Sequence, residues 1–77
     1  MLHVTVTSPE RVIFDGPARS AIFPGERGVF EVLSLHRALI SRLGVGVVEI
    51  DGKVLPIRRG VVRVAEDEVT AVVEVRG

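Results

Sequence analysis

Apolar and polar residues alternate along most of this chain. Leu2, Val4 and Val6 interleave with His3, Thr5 and Thr7; towards the other end Val69, Ala71, Val73 and Val75 interleave with Thr70, Val72 and Glu74. A period of two sends successive side chains to opposite faces, so both segments predict half-buried β-strands. Ser8-Pro9-Glu10 breaks the first. Arg11 to Asp15 predicts a short second strand closed by Gly16-Pro17, Ala18 to Phe23 a third ending at Pro24-Gly25, and Gly28 to Leu33 a fourth. His36 to Leu43 is ambiguous, because Leu35, Leu39 and Leu43 would share a helix face; Gly44 and Gly46 close the segment and its neighbours are strands, so extended structure is expected. Asp51-Gly52 between Val47–Ile50 and Lys53–Leu55 is the signature of a type I′ hairpin, whose two central residues both need positive φ. Arg58-Arg59-Gly60 leads into Val61–Val64, and the acidic turn Ala65–Glu68 precedes the last strand. The result is an all-β chain of about nine short strands with the turn spacing of a sandwich or barrel.

Composition adds a need for partners. Seventy-seven residues make a single domain over 1–77, and a chain this short buries only ~60% of the surface its unfolded form exposes. There is no cysteine to staple it, and His3 and His36 lie far apart without a second ligand at metal-binding spacing, so no disulfide, metal or cofactor is expected. The hydrophobic fraction is 47% with a mean hydropathy of +0.40, more than so small a core can hide, which predicts exposed apolar interaction surface. Ten basic and ten acidic residues balance to a net charge of +0, and the only aromatics are three Phe, which argues against nucleic acid as the partner. No apolar run approaches the ~20 residues that span a bilayer, and Met1-Leu2 runs straight into an alternating strand rather than a leader. Direct membrane insertion is therefore not expected, and the cytoplasm is the expected compartment.

No catalytic constellation emerges. Glu66-Asp67-Glu68 sits on a solvated turn, where two carboxylates cannot acquire the unequal environments that acid–base work requires. The four serines lie in no Gly-x-Ser-x-Gly elbow, and Gly25-Glu26-Arg27-Gly28 lacks the Lys-Ser/Thr and following helix of a phosphate cradle. A small-molecule substrate is not expected. Lys53, the only lysine, lies beside a hairpin tip, as the modified lysine does in biotinyl and lipoyl carrier domains; Asp51-Gly52-Lys53-Val54 matches neither Met-Lys-Met nor Asp-Lys-Ala, and a lysine there also protects a strand edge. His36 suits a turn cap or a half-buried position.

The stretch from Gly28 to Leu43, with His36-Arg37-Ala38-Leu39-Ile40-Ser41 at its centre, resembles the signature of the epsilon subunit of F-type ATP synthases: a glycine, a short β segment, then Pro-Gly/Asn-His-Ala-Pro-Leu-Leu/Ile-Thr/Ser. The opening Leu2–Thr7, Ser8-Pro9-Glu10 and Phe14-Asp15-Gly16, the strand Gly46–Ile50, and the closing Gly60–Val64 and Val69–Val72 also fit that family in order, so the resemblance covers essentially the whole chain. It implies a flattened β-sandwich of about nine to ten strands. It also implies a non-catalytic rotor subunit in the central stalk, linking the gamma subunit to the c ring and coupling ion translocation to ATP synthesis. Such a subunit is peripheral, at the cytoplasmic face of the inner (plasma) membrane. By the same resemblance Ser8, His36, Arg37, Leu39 and Ser41 belong to the gamma side, and Glu26, Arg27, Val29, Phe30, Glu31 and Leu33 to the c-ring side. The chain departs from the family in Ser34-Leu35 for Pro-Gly/Asn, in Arg37-Ala38 for Ala-Pro, and in Arg58-Arg59 for Ser-Gly. The family's C-terminal helical pair, which inhibits ATP hydrolysis, has no counterpart, implying coupling without that inhibitory arm. The alternatives are a carrier domain with Lys53 as attachment site and a stand-alone sandwich that binds another partner.

Overall fold

A computed structural model describes all of residues 1–77 and contains eight strands and no helix. They are β1 (Leu2–Thr7), β2 (Val12–Ala18), β3 (Ser20–Gly25), β4 (Gly28–Leu33), β5 (Leu39–Leu43), β6 (Gly46–Ile50), β7 (Lys53–Ala65) and β8 (Glu68–Val75). Hydrogen bonding runs β2-β1-β8-β7-β5-β3-β4, with β6 paired to both β3 and β7. The pairs are antiparallel except β1–β8, where the first and last strands run parallel. Two layers result. One holds β2, β1, β8, the second part of β7, and β5; the other holds β4, β3, β6 and the first part of β7. The body is flattened, 32 × 26 × 21 Å.

The strand count is eight rather than nine to ten because β7 is continuous. Lys53–Leu55 and Val61–Val64 belong to one 13-residue strand that passes from one layer to the other. The crossing needs a bulge. Ile57 is buried, and so are Val62 and Val64, which lie five and seven residues on; strand alternation alone would turn them to opposite faces. The register slips between Ile57 and Arg59, so that consecutive Arg58 and Arg59 are both exposed and the later valines regain the core. Two further boundaries differ from expectation. Gly16-Pro17 lies inside β2, where a proline is tolerated because β2 is an edge strand, and Pro24-Gly25 lies inside β3. The 36–43 ambiguity resolves as extended structure over Leu39–Leu43.

The core is small and aliphatic. Sixteen buried hydrophobics fill it, half of them valine, with Phe23 the largest. Leu2, Val4 and Val6 from β1 meet Val69, Ala71 and Val73 from β8, as the alternation predicts. The Asp51-Gly52 hairpin is as expected, with both residues at positive φ (48° and 86°) and Ile50 opposite Lys53.

Candidate functional site

The candidate residues fall on or beside the two outward faces of the molecule. Cross-strand pairing sets the side chains of the first face in rows. One row reads Arg42, Val61, Val72, Thr7 and Val12 across β5, β7, β8, β1 and β2; the next reads Ile40, Arg63, Thr70, Thr5 and Asp15. Ile40, Val61, Val72 and Val12 are exposed. The nearby charges are partly matched: His3 Nε2 lies 2.7 Å from Asp15 Oδ1, and Arg59 Nε donates to Glu74 Oε2 at 3.0 Å. Arg42 and Arg63, interleaved with the apolar side chains, have no ion-pair partner.

Ser8 and His36 mark opposite corners of this face. Ser8 follows β1 and donates its N–H to the Arg11 carbonyl (2.9 Å). His36 and Arg37 lie in the connection before β5, beside the far end of β1: Leu35 N–H donates to Asp67 Oδ1 (2.7 Å), and His3 N–H to the Asp67 carbonyl (2.9 Å). The length of β1, ~17 Å, separates the two corners. His36 is half-buried; its N–H donates to the Leu33 carbonyl and its Nδ1 to the Arg37 carbonyl at 2.7 Å. Leu39 and Ser41 turn the other way, half-buried in the same register as core Leu43, with the Ser41 hydroxyl on the Arg42 carbonyl. The outward residues between them, Ile40 and Arg42, were missed by sequence reasoning although their alternation with Leu43 encodes the direction.

The second face carries the other candidate set. Glu26 and Arg27 form the β3–β4 tip, and Val29, Glu31 and Leu33 point outward from edge strand β4. Phe30 points inward, half-buried, its ring 5.8 Å from that of Phe23. Behind β4 a row reads Glu31, Ile22, Glu49, Val54 across β4, β3, β6 and β7. Val47, Glu49 and Val54 belong to this face and also went unnoticed in the sequence.

Between the layers, Val6, Phe14, Val48, Ile50 and Leu55 line a shallow apolar cleft of about 170 Å³ with Lys53 on its rim. Lys53 is the first ladder residue after the turn, not its tip. No three His, Asp or Glu side chains converge as a metal site. The acidic turn serves the fold, since Asp67 holds both β1 and the loop before His36.

Residues 1–75 match the sequence model of the family described as ATP synthase, Delta/Epsilon chain, beta-sandwich domain. A curated ATP synthase epsilon chain of a Nitratiruptor species is 45% identical over 78 residues, covering 95% of this chain and 60% of the relative. One from Leptospira interrogans serogroup Icterohaemorrhagiae serovar copenhageni is 36% identical over 73 residues, covering 90% of this chain. The chain thus spans 60% and 58% of the length of these two relatives. In solved structures, the fold recurs in a chain of the Euglena gracilis mitochondrial ATP synthase OSCP/F1/c-ring assembly (TM-score 0.84, 22% identity, 94% of this chain, 49% of that one). It recurs also in the Tetrahymena thermophila mitochondrial ATP synthase central stalk/c-ring (TM-score 0.78, 16% identity, 95% of this chain, 63% of that one).

Proposed function

The chain belongs to the delta/epsilon beta-sandwich family of ATP synthases, and from that premise we propose that it is a non-catalytic rotor subunit which links a gamma subunit to a c ring. In this role residues 1–77 act as one sandwich module, peripheral to the membrane on its cytoplasmic face, and couple ion translocation to ATP synthesis by transmitting torque. The observation that carries the reading is the pairing of family membership over residues 1–75 with eleven large hydrophobics left exposed on an otherwise well-filled fold. A torque-transmitting module needs adhesive surface on more than one side, and both outward faces supply it.

The gamma side is assigned to the face framed by Ser8, His36 and Arg37. The c-ring side is assigned to the β3–β4 tip at Glu26 and Arg27, with Val29, Glu31 and Leu33 adjoining it. Leu39, Ser41 and Phe30 support these surfaces from beneath. The test is co-purification with a reconstituted catalytic head containing the cognate gamma subunit. A stoichiometric complex is expected; a chain that elutes apart from gamma overturns the proposal. Incubation with biotin or lipoyl ligases is expected to leave the intact mass unchanged, and an increment on Lys53 would establish the carrier reading instead.

A further inference from the structure

Four non-glycine residues have positive φ: Leu35 (66°), Asp51 (48°), Glu66 (52°) and Asp67 (63°). The last three occupy two-residue hairpin turns that demand this conformation. Leu35 is different. A leucine in the left-handed region is an outlier, because its Cβ crowds the following carbonyl. It is also 91% exposed, the most exposed large hydrophobic of the molecule, so no packing gain in the isolated chain offsets the strain.

The conformation is nevertheless firmly held. Leu35 N–H donates to Asp67 Oδ1 at 2.7 Å, the next amide donates to the Leu33 carbonyl at 3.1 Å, and Asp67 is itself tied through its carbonyl to His3. The side chain is thereby presented to solvent, adjacent to His36 and Arg37. Glycine or asparagine would adopt this geometry at lower cost. Strain retained under a clamped, solvent-presented apolar side chain points to a role outside the chain.

We propose that Leu35 is a pre-organised anchor, a single apolar knob that seats in an apolar pocket of the gamma subunit. The inference rests on the stalk reading above and adds to it the residue that carries the contact. Because the clamp fixes the loop before binding, little ordering entropy remains to be lost on association, which is how one leucine can contribute heavily.

The test exploits opposite signs. In the full chain, Leu35→Gly and Leu35→Asn relieve the strain, and urea titration is expected to show an unchanged or larger folding constant, up to roughly tenfold for Asn. The same variants are expected to bind the isolated cognate gamma subunit roughly ten- to a hundredfold more weakly, the loss of one buried leucine. Leu35→Met keeps an apolar side chain and is expected to retain most of the affinity. Unchanged affinity in Leu35→Gly and Leu35→Asn overturns the anchor, as does a loss of stability that accounts for the loss of binding. A wild-type chain that fails to bind gamma overturns the stalk reading itself, a result distinct from either.

Discussion

Asp51 and Ser20 hold each other in both directions: the Ser20 N–H donates to Asp51 Oδ1 at 3.0 Å, and the Asp51 N–H donates to the Ser20 carbonyl at 3.3 Å. The same carboxylate takes the Arg19 N–H at 3.0 and 3.1 Å. A residue whose sequence role is to form the β6–β7 turn therefore also caps the bend between β2 and β3, joining the hairpin of one layer to the strand that leaves the other. Asp51→Ala removes the acceptor of two backbone donors and raises the cost of positive φ, and is expected to destabilise by about 1–3 kcal/mol. Asp51→Asn keeps a side-chain oxygen and suits a type I′ turn, and should cost less than half as much. Urea midpoints of the two variants check the ordering.

The Arg58 bulge gives a sharper contrast. Both Arg58 and Arg59 are exposed, so Arg58→Ala should lie within about 0.5 kcal/mol of wild type. Deleting Arg58 leaves Ile57 four and six residues from Val62 and Val64, a spacing at which plain alternation keeps all three inward, and removes the bulge itself. The deletion is therefore expected to keep cooperative unfolding but to cost more than Arg58→Ala, because β7 loses the bulge at which it passes from one layer to the other. Thermal melts followed by circular dichroism distinguish the two.

Gly60 lies just past that bulge, and a Cβ built there would stand 2.5 Å from the Val72 carbonyl oxygen and 3.0 Å from Val73 Cγ1. The nearest atom is backbone of the paired strand, which cannot rotate away. Gly60→Ala is therefore expected to cost about 1–3 kcal/mol by forcing β7 and β8 apart. A midpoint equal to that of wild type would show that the pair relaxes freely.

Local alternation made β1 and β8 legible, because each has one wet face and one buried face and so displays its period. The Asp51-Gly52 hairpin was legible because its backbone demands those residue types. What the sequence hid was context. Pro17 and Pro24 look like strand ends, yet Pro17 sits on the sheet edge and the Pro24 carbonyl accepts the Gly44 N–H at 2.9 Å. Arg58-Arg59-Gly60 looks like a loop because a bulge breaks the period that identifies a strand. The outward faces were legible only at their margins. Ser8 and His36 fall in recognisable motifs, whereas Ile40, Val61 and Val72 become one surface only after β5, β7 and β8 align. No local pattern in the chain carries that register.

That surface yields the last prediction. Val61 and Val72 stand directly opposite one another, with Arg42 beside Val61, and all lie between the Ser8 and His36 corners. Val72→Glu changes an exposed position on the outer side of β8, where a substitution away from the core typically shifts stability by about 0.5 kcal/mol or less. If gamma covers this face, the variant must lose the apolar burial of the valine and bury a carboxylate as well, so affinity should fall at least about tenfold. Val54→Glu makes the same chemical change on the opposite face, beside Glu49. It should leave gamma binding intact. Titration of both variants against the isolated gamma subunit reads the two affinities directly: equal losses would mean that gamma does not distinguish the faces, whereas a loss confined to Val72→Glu places gamma on the side framed by Ser8 and His36.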